Sequence, residues 1–254
     1  MEDNQLDELR TLIRDLADYV DSLEVIPRRS TVADIVLLGL MSKAFSLFWA
    51  VSELAQSGFS EEAFGLARTS VELRFVARYL TNNDTDARCG RYYNFGAKAL
   101  VRSRALLNTY AHDGAPLKLE PEIERLASEF NNHHGWADAK IRDFADEPNS
   151  FEFDSNGDPT TQTATYETLY WQMSSFVHVN IGALVEVHLP EAGDAFRLIR
   201  ERTKLRVGKS AVEHSARSLG LVIARVLRFM GLEVSDELAG RFQRLLLSKK
   251  KSAG

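Results

Sequence analysis

The sequence predicts an all-α protein, folded as a multi-helix bundle with a long acidic loop in its middle. Three observations predict this class. Apolar residues recur at three- and four-residue steps along most of the chain, which is the period of a helix that buries one face. No segment shows the alternation of apolar and polar residues that is typical of a strand. Segments rich in Gly, Pro, Asn and Asp separate the periodic stretches and predict turns between helices.

Composition is that of an ordinary globular protein. The 254 residues are 44% hydrophobic and 26% charged, and a chain of this length can bury a sizeable core. We therefore expect a single helical domain over residues 1–254. The net charge of −5 gives no general attraction to nucleic acid, although it leaves a local basic patch possible. The single Cys89 excludes an internal disulfide and a Cys-rich zinc site.

The sequence also predicts a cytoplasmic location and no membrane partner. Residues 1–20 are acidic and lack the basic region and apolar core of a secretory signal. The longest apolar run, residues 35–40 with its flanks, is interrupted by Ser42, Lys43 and Ser46. That run is therefore expected to be too short and too polar to span a bilayer.

Four helices are predicted in the first 110 residues. Ser30 or Thr31 can cap the second helix and Ser60 the third, since a hydroxyl can accept a hydrogen bond from the first turn. Gly58 is expected to end the second helix. The first helix lies in an N-terminal amphipathic segment, residues 1–30. The predicted ranges of the four helices are 3–24, 31–56, 60–80 and 85–110.

The middle and the second half predict further helices around an exposed loop. Asn-Gly and Asp-Pro pairs mark residues 149–161 as that loop. Residues 31–190 form the predicted core bundle, residues 191–247 the C-terminal helices, and residues 248–254 a disordered basic tail. Helices are predicted at 120–131, 136–145, 165–188, 210–230 and 235–247.

The helix predicted at residues 60–80 carries charges where apolar residues would be expected. Arg68 and Glu72 are four residues apart, on adjacent turns of one side, within an apolar stripe. One interpretation is an ion pair that fixes the helix register; the other is a functional polar site. Arg74 and Arg78 fall on a separate strip, which we expect to face solvent.

A second polar segment, YWQMSSFVH, ends at His178. Its serines lie three and four residues before the histidine, so on a helix either hydroxyl can approach the ring. Glu72 could orient the imidazole and raise its pKa, and Arg68 could hold an anionic group. The alternative is a hydrogen-bonded core histidine. The predicted catalytic residues are Glu72 and His178, and the predicted substrate-binding residues are Arg68, Tyr170, Ser174 and Ser175.

These motifs resemble those of a family of bacterial helical proteins of unknown function. In that family an Arg-x-x-x-Glu helix precedes a Ser-x-x-His helix by roughly a hundred residues, as Arg68–Glu72 precedes Ser175–His178 here. The resemblance spans about residues 35–190 and implies no known activity. Such bundles are also similar to the HEPN group of nucleotide-binding and RNA-cleaving domains. That group has an Arg followed four to six residues later by a His, and no pair in this sequence has this spacing.

Two functions therefore stay open, and the sequence does not decide whether the protein is an enzyme. The first is a helical interaction protein, expected to be a homodimer, whose cluster binds a small anionic ligand or a partner. The second is a metal-independent, HEPN-like ribonuclease or nucleotide-binding toxin or phage-defence protein. In that case the basic stretch at residues 197–209 would contact RNA. No cofactor and no metal are predicted, and His133-His134 is expected to be a solvated pair.

Overall fold

A computed structural model of the protein describes residues 2–23, 31–110, 118–130, 137, 139–148, 161–177 and 205–247. Within these ranges every regular element is helical and no β-strand occurs, so the predicted all-α, multi-helix class is confirmed. In the first half of the chain the helices are α1 (Glu2–Ser22), α2 (Val32–Gln56), α3 (Ser60–Asn82) and α4 (Thr85–Tyr110). They are followed by α5 (Pro121–Ser128), α6 (Ile141–Asp146), α7 (Thr163–Thr165), a π-helical segment π1 (Tyr166–Tyr170), α8 (Trp171–Val177), α9 (Leu205–Phe229) and α10 (Asp236–Leu247).

The observed helices follow the predicted order. The start of α9 at Leu205 lies inside the predicted basic stretch, five residues before the expected start at 210. The helix predicted at 165–188 is described as far as Val177. Within the predicted exposed loop, residues 149–160 lie outside the described residues, and so does the predicted basic tail, residues 248–254.

Three helices, α2, α3 and α9, form the centre of the bundle. Each packs extensively against the other two, and each contributes fully buried apolar side chains, among them Phe48, Phe75 and Leu219. The hydroxyls of Ser70 and Ser215 lie 2.9 Å apart and join α3 to α9 inside this core. Around the centre, α1 packs on α9 and α10, α4 on α2 and α5, and α8 on α3.

Helix α2 is longer and more apolar than expected from the sequence. It has 25 residues, and its most apolar 18-residue stretch reaches a mean hydropathy of 1.8, so by length and composition it could cross a membrane. The expectation of too short and too polar a run is therefore wrong on those two criteria. Half of that stretch is buried inside the protein, and α2 packs against α3 and α9. The core helix of a water-soluble protein has these same properties.

The helix ends follow the predicted signals with one exception. Thr31 caps α2: its hydroxyl accepts from the Asp34 N–H at 3.1 Å, and the Asp34 carboxylate accepts from the Thr31 N–H at 2.9 Å. Gly58, at φ 83°, and Gly231, at φ 73°, follow α2 and α9 in the left-handed conformation that glycine adopts readily.

Ser60 does not cap α3, so that prediction is wrong. The cap position is Phe59, and the buried hydroxyl of Ser60 makes no hydrogen bond with any described residue. The reason is tertiary packing. A Cβ on Gly208 of α9 would lie 2.7 Å from the Ser60 hydroxyl oxygen, so α9 covers the start of α3 where a free helix end was expected.

Arg78 corrects a second expectation. Its side chain is only 2% exposed, whereas the sequence placed it on a solvated strip; Arg74, from the same strip, is partly buried. The cause is α6, which covers this side of α3. Nη1 of Arg78 donates to the carbonyl oxygens of Phe144 at 3.1 Å and Ala145 at 3.3 Å.

A second group of polar contacts continues this attachment to the end of α3. The Asn82 amide donates to the Glu147 carboxylate at 2.8 Å and to the carbonyl of Pro148 at 2.9 Å. Arg88 lies over the ring of Tyr79 and forms an ion pair with Glu147 at 3.0 Å. Segment 141–148 is therefore held to α3 and α4 by side-chain hydrogen bonds, together with the packing of the Phe144 ring on Tyr79, whose centroids lie 4.5 Å apart.

Candidate functional site

The candidate site lies where α8 runs antiparallel to α3. At one end of this contact Cγ2 of Val177 lies 3.5 Å from where a Cβ on Gly65 would stand, which is ordinary van der Waals contact. At the other end the rings of Tyr170 and Phe75 pack with their centroids 6.1 Å apart. The two helices that the sequence analysis selected are therefore neighbours, and their polar residues face each other across the contact.

Arg68 stands at the middle of this contact and is held by two hydroxyl groups. Its Nε donates to the Ser174 hydroxyl at 2.9 Å, and its Nη2 donates to the Tyr170 phenol at 2.6 Å. The guanidinium carbon also lies 4.8 Å from the centroid of the Tyr170 ring, within the range of a cation–π contact. Ser174 in turn donates to the carbonyl of Tyr170 at 2.8 Å, which fixes its hydroxyl beside Arg68.

Glu72 completes the cluster through the same phenol. Tyr170 donates to Oε2 of Glu72 at 3.3 Å, while Nη2 of Arg68 lies 3.8 Å from that oxygen. A guanidinium, a phenol and a carboxylate are thus connected in one hydrogen-bonded chain. Burial, and then the Glu72 carboxylate, raises the pKa of Tyr170 above its ordinary value, against the opposing effect of Arg68. The phenol therefore stays protonated at neutral pH and remains a donor.

Tyr92 of α4 is a member of this region that sequence reasoning missed. Burial raises its pKa, and the Glu72 carboxylate raises it further. The phenol of Tyr92 therefore lies close enough to Glu72 for that charge to affect its protonation. In the sequence Tyr92 lies in an aromatic stretch of α4, next to Tyr93 and near Phe95. No spacing relates it to Glu72, because the two residues meet only through the packing of separate helices.

The cluster is half-buried. The Arg68 and Glu72 side chains are 24% and 36% exposed, so both keep contact with solvent. An ion pair of this exposure, at a separation of 3.8 Å, contributes only about 0.5 kcal/mol to stability. This ion pair therefore contributes little to fixing the helix register. Nη1 of Arg68 makes no hydrogen bond to any residue that the structure describes.

Of the six predicted site residues, the structure brings four together: Arg68, Glu72, Tyr170 and Ser174. The backbone of Ser175 belongs to α8, but its side chain lies outside the described part of the structure. His178 follows Val177 directly in the sequence and also lies outside the described residues. The proposed meeting of the imidazole with Glu72 thus stays a prediction.

Other chemistry finds no support in the described residues. Burial raises the pKa of Cys89 to about 12, so its thiol stays protonated and is a poor nucleophile. No three His, Cys, Asp or Glu side chains of the described ranges are grouped so that they could hold a metal ion. His133 and His134 lie outside those ranges.

Comparison with known proteins adds one match. No curated protein and no solved structure matches the chain. The model of a family of unknown function, DUF5677, matches residues 34–196, more than half of the chain. This range contains α3 and α8, and it agrees with the expectation of an uncharacterised family over about residues 35–190. The chain therefore belongs to this family of unknown function, DUF5677.

Proposed function

We propose that this protein binds a small anionic group, such as a phosphate or a carboxylate, at Arg68. The observation that carries the proposal is the way the guanidinium is held. Ser174 and Tyr170 engage Nε and Nη2, which fixes the plane of the group before any ligand arrives. A fixed guanidinium loses less entropy on binding, and its planar fork matches an oxyanion.

The remaining donors of Arg68 supply the binding capacity. Nη1 makes no hydrogen bond within the described residues, and the side chain is 24% exposed. A charge-assisted hydrogen bond in a half-buried site is roughly twice as strong as a neutral one. The hydroxyl of Ser174 and the protonated phenol of Tyr170 flank the guanidinium and favour a ligand rich in acceptor oxygens.

Glu72 limits how tightly an anion binds. Its carboxylate lies 3.8 Å from Arg68, so it repels a second negative charge brought to the same guanidinium. A ligand must therefore compete with Glu72 or displace it. This competition is typical of a reversible binding site, and it gives the proposal a distinctive test.

The test compares inorganic phosphate and AMP as ligands of purified protein, by calorimetry and by the shift in melting temperature. Arg68→Met removes the guanidinium, and we expect at least about tenfold weaker binding because a charged hydrogen bond is lost. Glu72→Gln removes the repulsion and is expected to tighten binding. Arg102→Met, at an exposed position of α4, is the matched control and should leave binding unchanged.

The proposal would be overturned if neither ligand binds the wild-type protein. It would also be overturned if Arg68→Met binds as tightly as wild type, or if Arg102→Met weakens binding as much as Arg68→Met. Circular dichroism and the melting temperature without ligand show whether each variant is folded. Since Arg68 and Glu72 are both partly exposed, we expect all three variants to fold.

The HEPN-like ribonuclease or nucleotide-binding function uses the same cluster, with His178 as the acid–base group. His178 lies outside the described residues, and no described contact favours RNA over another phosphate ligand. This alternative stays a prediction, and it requires RNA cleavage that His178→Ala abolishes. The homodimer also stays a prediction, and light scattering would measure it as twice the 28.5 kDa mass of one chain.

A further inference from the structure

A cavity of about 700 Å³ lies on the opposite side of π1 from Arg68. Residues of α1, α3, α9 and α10 line it, together with residues of α7 and π1. A volume of this size is within the range of about 300–1,000 Å³ that is usual for small-molecule sites. Tyr170 faces the Arg68 cluster, while Thr168 and Leu169 line the cavity, so this cavity is separate from the site proposed at Arg68.

Most of the cavity wall is apolar. Leu16 of α1, Leu169 of π1 and Leu221 of α9 line it, and the ring of Phe242 from α10 closes one side. This ring lies directly on Gly220: a Cβ added there would stand 3.0 Å from Cε1 of Phe242. Such a surface favours a ligand whose body is a hydrocarbon chain or an aromatic ring.

His214 of α9 supplies a neutral hydrogen-bonding group in this wall. Burial is the largest cause that lowers its pKa to about 4; the charge of Arg217 lowers it further, Glu213 acts in the opposite direction, and Arg74 adds a smaller lowering. The imidazole is therefore uncharged at neutral pH. It makes no hydrogen bond to any residue that the structure describes, and its ring nitrogens keep some accessible surface. The ring is thus available to a ligand.

The charged side chains near His214 already take part in other interactions. Arg74 donates to the amide oxygen of Gln162, and Arg74, Arg217 and Glu213 each have further interactions with their surroundings. A charged ligand would have to compete with these interactions and give up its own hydration, which is costly in a mostly apolar cavity. A neutral ligand loses far less hydration and needs no countercharge, so the cavity favours an uncharged molecule.

Such a ligand needs one polar group that matches a neutral imidazole. In this form of the ring one nitrogen is a donor and the other is an acceptor. A hydroxyl both donates and accepts, so it can pair with whichever nitrogen of His214 faces the cavity. A carbonyl or an ether can only accept, and an ammonium group can only donate. The hydroxyl is therefore the polar group that fits this imidazole best.

We propose that this cavity binds a neutral alcohol with an apolar body, of the class of arylalkyl and medium-chain alcohols. The hydroxyl pairs with the imidazole of His214, and the body packs against Leu169, Leu221 and Phe242. This inference goes beyond the anion site proposed at Arg68 and does not depend on it.

Phenylbutanol, with its hydroxyl at the end of the chain, is the probe, titrated into the whole protein at neutral pH by calorimetry. Phenylbutyrate and phenylbutylammonium have the same ring and chain with a negative and a positive head. We expect phenylbutanol to bind, and both charged compounds to bind at least about tenfold more weakly, because their charge loses its hydration in the cavity. These comparisons use the wild-type protein, so they do not depend on whether a variant folds.

His214→Leu tests the contact with the hydroxyl. Butylbenzene has the same ring and chain without the hydroxyl, so the ratio of the two affinities isolates the contribution of the head. We expect His214→Leu to lower the affinity for phenylbutanol relative to butylbenzene by about fivefold, since a neutral hydrogen bond is lost. His214→Gln keeps a donor and an acceptor and should leave this ratio within about twofold of wild type. A change in packing alone would alter both affinities together.

Leu221→Gln tests the apolar wall. We expect it to weaken phenylbutanol binding at least about threefold, because it replaces an apolar contact with a polar amide. Leu100→Gln, at a position of α4 that is 51% exposed, is the matched control and should have no effect. Arg68→Met should also leave phenylbutanol binding unchanged, which distinguishes this cavity from the other site.

The inference is wrong if phenylbutanol does not bind the wild-type protein, or if either charged compound binds as tightly as phenylbutanol. It is also wrong if folded His214→Leu keeps the wild-type ratio of phenylbutanol to butylbenzene affinity. Equal binding by Leu221→Gln and Leu100→Gln would overturn it, because the ligand body would then lie elsewhere. A loss of phenylbutanol binding in Arg68→Met would overturn it too, because the ligand would then occupy the Arg68 site.

Discussion

His214 makes the stability of this protein depend on pH through a single imidazole. The unfolded chain protonates it near its ordinary pKa of 6.5, while the folded protein protonates it only near 4. Between these two values the unfolded state binds more protons, so the free energy of unfolding decreases as the pH falls from about 6.5 to about 4. Above pH 6.5 both states are neutral at His214, and this residue contributes no pH dependence.

We expect the free energy of unfolding to decrease by roughly 2 kcal/mol over this pH range. The full lowering of the His214 pKa corresponds to about 3 kcal/mol, and the imidazole keeps some contact with water, which reduces the effect. Urea unfolding at neutral pH and again near pH 4.5 measures it. Carboxylates also titrate in this range, so the comparison is with His214→Gln, which has no proton to bind. The expectation is wrong if wild type and His214→Gln lose the same stability on acidification.

The three arginines of α3 show that the sequence alone does not reveal the surroundings of a charged residue. Arg68 is half-exposed in the candidate site, Arg74 lines the cavity, and Arg78 is buried under α6. From the sequence, Arg68 was selected as a site residue, whereas Arg74 and Arg78 were both expected to face solvent. A helix that is apolar on nearly all sides has no clear solvent-exposed face, so the exposure of its charged residues cannot be predicted from their positions. The surroundings of each arginine therefore depend on which helix covers it.

At the scale of elements, α6 depends on α3 for its place. It has only six residues, too few to be stable as an isolated helix. Its described attachments to α3 include the two carbonyl contacts of Arg78, and just after α6 Glu147 contacts Asn82 of α3 and Arg88 of α4. Gln162, just before α7, donates its backbone N–H to the carbonyl of Ala145 at 2.7 Å. The position of α6 is thus transmitted to α7 and π1.

Arg78→Met is therefore expected to lower the free energy of unfolding by about 3 kcal/mol, since two buried carbonyl groups lose their charged partner. The substitution should also increase the rate of amide hydrogen exchange more in α6 than in α9. Arg102→Met at an exposed position is the control for loss of an arginine and should change stability by less than about 0.5 kcal/mol. Unchanged stability and unchanged exchange in α6 would contradict the assignment.

Several helix ends were predictable from the sequence, whereas the π-helical turn was not, and the reason is physical. The Thr31 cap and the glycines that end α2 and α9 are local signals, and the chain shows them without tertiary information. The π-helical form of residues 166–170 is not local. It accompanies the stacking of the Tyr166 and Tyr170 rings, 5.0 Å apart, against Phe75 of another helix.

At the scale of the whole molecule, the family match and the core do not coincide. The match ends at residue 196, whereas α9, at Leu205–Phe229, is one of the three central helices. Its side chains face α2 and α3 across the core, and many of them are completely buried. The buried apolar residues of α9 include Ala211, Val212, Ala216, Leu219, Val222, Ile223, Val226 and Leu227.

A chain that ends at residue 204 should therefore not fold cooperatively. It loses α9 and exposes the apolar faces of α2 and α3 that α9 covers, and fully burying one such side chain contributes about 1.5–3 kcal/mol. That loss exceeds the stability of a typical domain. Urea unfolding and near-ultraviolet circular dichroism measure it. A chain that ends at residue 247 is the control and should unfold as the full chain does. A cooperative transition in the shorter chain would refute this prediction.

The architecture was predictable at the level of class and helix order, because both follow from periodicity and turn signals. The pairing of α8 with α3 does not follow from the sequence, since no spacing shows which helices touch. The cavity was not predicted at all. Its charged residues lie on α3 and α9, more than a hundred positions apart, and Arg74 had been assigned to solvent.

The π-helical turn at Tyr166–Tyr170 has a consequence for how this chain tolerates insertions and deletions. Such a turn is geometrically an α-helix that has gained one residue. Removing one position here, for instance Thr168, would restore regular winding and rotate Tyr170 relative to Thr165 by about 100°. Tyr170 could then no longer meet Arg68 while Thr165 kept its place at the cavity. A one-residue deletion in this turn is therefore expected to separate the Arg68 cluster from the cavity wall.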